Sequence, residues 1–238
     1  MSNFYRLIQG DCLKVLPTIE TQSIDLIVTD PPYGFGRVIN DDENCYKLIN
    51  KTFLEIKRVL KIHHHAFVFS PKNEMLLKFL NVIPLHFIEL LWLYKPADET
   101  FPRGRWLQKS EAIIHYVNGD WDEKIINKEK YAHDTYIRKK VAIKEEMTKN
   151  HPCAKPLEIV QDLVNSAFPN DVVLDPFLGS GTTMFASQNL KLNCIGIEIS
   201  PEYCEIVKNR CFGRRFLDHE VEYRFEVFGE TPLLGVSV

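Results

Sequence analysis

The chain has 238 residues, 45% of them hydrophobic and 26% charged, which suits one well-buried globular domain and is too short for two full enzymatic domains. A net charge of −3 at pH 7 gives no overall attraction to nucleic acid, so any such binding must rest on a local patch. No apolar run reaches the ~18 residues of a membrane span and MSNFYRLIQGD carries no signal-peptide pattern, so the expected location is the cytoplasm.

In chain order, a strand is predicted over 4–9 and a helical turn over 12–16, with Asp11 standing where it can cap that turn. A second strand, 24–29, carries Leu26, Ile27 and Val28 as the continuous apolar run of a strand covered on both faces. Asp30 therefore emerges at its carboxyl end, the edge where open α/β sheets bind ligands. The stretch TDPPYG continues with Pro31 and Pro32, which stiffen the turn and lack backbone donors while their carbonyls stay free to accept. A stiff, acceptor-rich loop of this kind is built for a ligand more than for packing.

The segment FGRVINDDENCY (35–46) leads to a helix over 46–61, a strand over 65–70, a helix over 73–81 and strands over 86–94 and 111–117. His63, His64 and His65 enter a strand with no ligand partners at suitable spacing, so no metal site is expected. Residues 118–150 break the pattern with eight Lys or Arg, seven Asp or Glu, and Tyr131, His133 and Tyr136 among them. Over 124–149 eight basic residues face four acidic ones, an excess of four positive charges. This segment is expected to be an insert outside the core, either a nucleic-acid contact or a solvated surface stretch.

Downstream, NHPCAKPLEIV places Pro156 at the first position of a helix over 156–167, with Lys155 at its entrance. Next, VVLDPFLGSGTT (172–183) reads as a strand over 171–175, a sharp turn with Gly179 and Gly181, and a helix over 181–190 opened by Thr182 and Thr183. Glycines there allow close approach of a ligand to the backbone, and the helix start offers N–H groups to negative charge. No G-K-[ST] follows, so the turn is not a phosphate-cradling P-loop. The strand over 194–198 ends in Glu198, 23 residues after Asp175, the spacing of an acid that grips ribose hydroxyls in nucleoside-binding α/β folds. A helix over 202–212 and a strand near 220–227 complete the pattern. Strands alternating with amphipathic helices imply a mostly parallel sheet covered on both faces. Six cysteines at scattered spacings, with no C-x-x-C pair, are expected to be reduced and mostly buried.

Together TDPPYG, DPFLGSGTT, GIEIS, HPCAKP and LIQGDCLKVL, with the catalytic motif ahead of the cofactor motif in the chain, resemble the β class of S-adenosylmethionine-dependent DNA amino-methyltransferases. The resemblance covers nearly the whole chain except 118–150 and the tail. It implies a Rossmann-like methyltransferase fold forming a single domain over 1–238, with a small target-recognition insert at 118–150, and a sheet in which the strands ending at Asp30 and Asp175 are neighbours. It implies Asp30, Pro31, Pro32 and Tyr33 as the catalytic loop, and Asp11, Lys155, Asp175, Phe177, Gly179, Ser180, Gly181, Thr182 and Glu198 around the cofactor S-adenosyl-L-methionine. Asp175 and Lys155 would serve the cofactor's amino-acid end, while Asp11 either meets its adenine end or caps the turn that follows.

Double-stranded DNA is the implied partner, with Arg37, Arg103, Arg105, Lys109, Lys130, Arg138, Lys139 and Lys140 as candidate contacts and 35–46 as a lid over the flipped nucleotide. An aspartate before the two prolines is associated in the family mainly with adenine N6. Cytosine N4 is the alternative, and an inactive DNA- or nucleoside-binding module the reading from another class. A homodimer and a cognate restriction endonuclease are further partners the resemblance admits.

Overall fold

In the computed structural model, which describes residues 3–33, 45–71, 74–94, 102–103, 106–107, 110–127, 135–137, 155–212 and 221–229, the apolar runs become strands and the helical segments cover them. The first half runs β1 (Asn3–Gln9), α1 (Cys12–Val15), β2 (Ile24–Thr29), α2 (Cys45–Val59), β3 (Leu60–Phe69), α3 (Glu74–Val82) and β4 (His86–Tyr94). A two-stranded ladder, β5 (Pro102–Arg103) with β6 (Trp106–Leu107), precedes β7 (Ser110–Val117) and β8 (Thr135–Ile137). The last part holds α4 (Leu157–Val164), β9 (Val172–Asp175), α5 (Thr182–Asn189), β10 (Asn193–Glu198), α6 (Pro201–Val207) and β11 (Val221–Val227).

The main sheet has the order β11-β1-β10-β9-β2-β3-β7-β4-β8. Only β7 runs against its neighbours, lying antiparallel between β3 and β4. From β2 the chain winds outward through α2 to β3; from β9 it winds the opposite way through α5 to β10. The β2–β9 junction is therefore the point where the winding direction reverses, and crevices for ligands open at such points beyond the carboxyl ends of the strands.

Alternation along β2 divides the core. Ile27 faces the layer made by Ile49, Phe53 and Ile56 of α2 and Phe79 of α3, whereas Leu26 and Val28 face Ile159, Val160 and Leu163 of α4 and Ala186 of α5. The spacing of Ile49, Thr52, Phe53, Ile56 and Val59 puts one stripe of α2 on the sheet, and all five are buried. Each large side chain so buried stabilises the fold by about 1.5–3 kcal/mol. A third layer, Tyr5, Leu7, Cys194, Cys204 and Val207, seats α6 on β1 and β10. The five described cysteines are buried, and none of them is joined in a disulfide.

Several boundaries differ from expectation. β3 begins at Leu60 directly after α2, so the three histidines lie inside the strand, with His63 at φ 66 where the β2–β3 register shifts. His65 is buried and its Nδ1 lies 2.9 Å from Nε2 of His115 on β7, which explains a histidine at a core position. The segment expected outside the core supplies β8, because its Thr-Tyr-Ile run suits a strand and pairs with β4. Pro156 is the N-cap of α4 instead of its first helical residue. The helix expected over 202–212 stops at Val207 and continues as a π-helical turn, Lys208–Phe212.

Candidate active site

β2 and β9 pair in parallel register, Leu26 with Val173 and Ile27 with Leu174, so the loop after Thr29 and the turn after Asp175 leave adjacent strands in the same direction. A side-chain clamp then ties them. Thr29 Oγ1 donates to Asp175 Oδ1 at 2.7 Å, Thr183 Oγ1 donates to Asp175 Oδ2 at 2.7 Å, and the Phe177 amide donates to Oδ1 at 3.0 Å. Burial pushes the Asp175 carboxyl up to about 6, against the pull of these three hydrogen bonds. Asp175, expected at the cofactor's amino-acid end, thus has its carboxylate turned into the protein, joining the two loops from beneath.

On the catalytic-loop side, the Tyr33 hydroxyl donates to Asp30 Oδ1 and the Lys155 ammonium stands 3.1 Å from Asp30 Oδ2. The same ammonium lies 3.7 Å from Glu111 Oε2 on β7, and 5.1 and 5.6 Å from the ring centres of Phe69 and Tyr33. Tyr33 meets Phe79 edge-on at 6.0 Å. Desolvation pushes the Asp30 carboxyl above its ordinary value; the Lys155 cation and the Tyr33 hydrogen bond pull it down, and the charge of Glu111 adds to the push. Lys155, expected beside the cofactor, meets the catalytic loop at Asp30. The segment leading into α4 delivers it to the mouth of β2 and β7, a placement that depends on sheet order and that its position in sequence does not reveal.

The glycine turn is anchored by Glu198, whose carboxylate accepts from the amides of Gly179 at 2.7 Å and Ser200 at 2.8 Å. Burial raises this carboxyl too. Gly181 holds φ 83 and caps α5, and a side-chain carbon there would come within 3.0 Å of Val207. Beneath the turn, buried Arg210 donates to the Ser180 carbonyl and to Thr182 Oγ1, each at 3.2 Å, and lies over the Phe185 ring. Phe177 is only partly buried and packs against the core beside the turn. Asp11 caps α1, its Oδ1 accepting from the Leu13 amide at 2.9 Å. It sits one strand away from Glu198, since Gly10 donates to the Glu198 carbonyl.

Of the candidate DNA contacts, Arg103 lies in β5; Arg37, Arg105, Lys109, Lys130, Arg138, Lys139 and Lys140 fall outside the described residues, as do Cys153 and residues 35–44 of the lid expected over 35–46, whose last two residues open α2. Sequence reasoning missed Thr29, Glu111, Thr183 and Arg210. Thr29 and Thr183 carried a readable signal, a hydroxyl next to each acidic motif; Glu111 and Arg210 carried none, because each meets the site only through the fold.

The sequence matches the DNA methylase family over residues 24–209. The chain belongs to the N6-adenine/N4-cytosine DNA methylases. This methylase is 29% identical to the type II methyltransferase M.HpaI of Haemophilus parainfluenzae, over 86% of its own length and 73% of that protein's. It is 27% identical to the DNA adenine methyltransferase YhdJ of Escherichia coli (strain K12), over 92% and 85% of the two chains. Its fold superposes on the M1.HpyAVI–SAM complex with a TM-score of 0.64 at 23% identity, covering 87% of this methylase and 98% of that chain. No helix among the described residues is long and apolar enough to cross a membrane.

Proposed function

We propose that this methylase transfers the methyl group of S-adenosylmethionine to the exocyclic N6 of adenine in double-stranded DNA, with the target base flipped out of the duplex. The observation that carries this reading is the pairing of β2 with β9, which sets the Asp30 loop and the glycine turn on one crevice across the Thr29–Asp175–Thr183 clamp. When bound, S-adenosylmethionine supplies an electrophilic sulfonium methyl. The residues fit a nucleoside of this kind: a buried acid at the end of β10, a turn with glycines at 179 and 181, and an aromatic ring at Phe177. Glu198 would hold the ribose, Phe177, Gly179, Ser180, Gly181 and Thr182 would line the rest, and Asp11 stands toward the adenine side.

An exocyclic amine is a weak nucleophile because its lone pair is delocalised into the ring. Asp30 and the Pro31 carbonyl act as acceptors for its two N–H groups, favouring a pyramidal nitrogen with its lone pair free for in-line attack. Pro31 and Pro32 keep that geometry stiff. Tyr33 stacks on the flipped base; flipping is required because the target nitrogen lies inside the stack. The segment 118–150 reads the site, with Arg37, Arg103, Arg105, Lys130, Arg138, Lys139 and Lys140 contacting phosphates.

Adenine is favoured by Asp30 before the two prolines and by the relative named as an adenine methyltransferase. Cytosine N4 is the alternative, since either amine needs the same two acceptors. The protein is read as acting in the cytoplasm, and a second copy of the chain and a cognate restriction endonuclease belong to this proposal as partners. Sequencing with modification detection, on DNA from cells expressing the protein beside an Asp30→Ala control, tests it. Methyl-adenine at a defined motif, lost in the control with cofactor binding intact, is the expected result. Methyl-cytosine would select the alternative. No transfer from labelled cofactor to duplex DNA would leave only a binding module.

A further inference from the structure

Asp30 does not stand alone in the crevice. Lys155 Nζ is 3.1 Å from its Oδ2 and 3.7 Å from Glu111 Oε2, so one ammonium bridges a carboxylate of the β2 loop and one of β7. All three side chains are sheltered, with side-chain exposures of 25% for Asp30, 14% for Lys155 and 21% for Glu111. Phe69 and Tyr33 flank the ammonium at 5.1 and 5.6 Å. A cation held between two acids and two rings is better placed than a solvated lysine, whose ion pair would contribute little.

We propose that Lys155, anchored by Glu111, is the positioning residue that holds the Asp30 carboxylate charged and aimed at the incoming amine. This rests on the reading of Asp30 as the acceptor of the target amine. A carboxylate accepts on both oxygens and does so as a charged, stronger acceptor; a protonated Asp30 would turn one oxygen into an O–H donor and hold the amine more weakly. Desolvation works against the charged form, and Lys155 is the cation that opposes it. The charged and titratable groups facing Asp30 are Lys155, the Tyr33 hydroxyl, Glu111 and, through the clamp beneath, Asp175. Glu111 has two opposed effects: it fixes the ammonium in place, and its own charge raises Asp30.

These effects give the two variants opposite signatures. Lys155→Met should move the acid limb of kcat/KM upward by about one to three pH units, the size expected for loss of a cation in contact with a carboxylate. Lys155→Arg, which keeps the charge, should restore most of it. Glu111→Gln keeps an amide oxygen for the Lys155 ammonium but removes a like charge from Asp30, so it should move the limb downward, by less than Lys155→Met moves it upward. A merely structural role would move neither limb, or both in one direction. The readout independent of turnover is the carboxyl carbon resonance of Asp30, titrated in the cofactor-free protein, with S-adenosylmethionine affinity measured by calorimetry as a check on folding. Opposite displacements of that titration support the proposal. Titrations of Lys155→Met and Glu111→Gln that coincide with wild type overturn it. If wild type methylates no DNA, the functional reading fails by itself, and the titration still decides whether Lys155 governs Asp30.

Discussion

Gly196 of β10 lies directly under Leu178 of the glycine turn. A side-chain carbon built on it would be 2.4 Å from Leu178 Cδ2, 2.9 Å from Cδ1 and 3.0 Å from Cγ, well inside the ~3.5–4.0 Å at which carbons rest. Leu178 cannot swing aside cheaply: it is buried with Leu7, Met184 and Val207, and its amide donates to the Ile197 carbonyl at 3.0 Å. Gly196→Ala must therefore lift the turn off the strand, an overpacking that costs about 1–3 kcal/mol. The same shift draws the Gly179 amide away from Glu198, so cofactor affinity should fall with stability. Leu178→Ala alone removes a buried side chain and should cost about 2–5 kcal/mol. In the double variant the alanine methyl enters the volume Leu178 vacates, and the two losses should fail to add by about 1 kcal/mol or more. Urea unfolding of the four proteins, with calorimetric titration of S-adenosylmethionine, measures the cycle. Losses that add to within ~0.3 kcal/mol, or a Gly196→Ala protein with wild-type stability and affinity, would refute the packing argument.

Asp175 gives a pH prediction with a definite sign. Its native carboxyl titrates at about 6 instead of 3.8, so its contribution is complete below the unfolded value and declines as pH rises through 6, by about 3 kcal/mol in all. Denaturation of wild type and Asp175→Asn from pH 3 to 8 should give a difference curve sloping through this window; a flat difference would show that Asp175 is not held against ionisation. Glu198→Gln loses the charge and one of two acceptors serving Gly179 and Ser200, and should weaken the cofactor about tenfold or more. An unchanged dissociation constant would remove Glu198 from the cofactor site.

Periodicity made the alternation of strands and helices legible because buried strands and amphipathic helices leave distinct apolar patterns, and β2, β9 and β10 appear within a residue or so of where those patterns place them. The start of β3 was hidden because His63, His64 and His65 interrupt its apolar run, and only the contact of His65 with His115 across the sheet explains them. The three-residue β8 was hidden because so short a segment, among charges, shows no period of its own.

The residue types in TDPPYG, DPFLGSGTT and GIEIS determined, from the sequence alone, a stiff acceptor loop, a glycine turn and a strand-end acid, since each depends on chemistry local to its own segment. The tertiary structure alone decided that Asp175 turns inward to Thr29 and Thr183, and that Lys155 meets Asp30 and Glu111. Thr29 with Asp175 and Asp30 with Lys155, each pair more than a hundred residues apart, meet because of the order in which strands assemble into the sheet, and no local pattern of residues encodes that order.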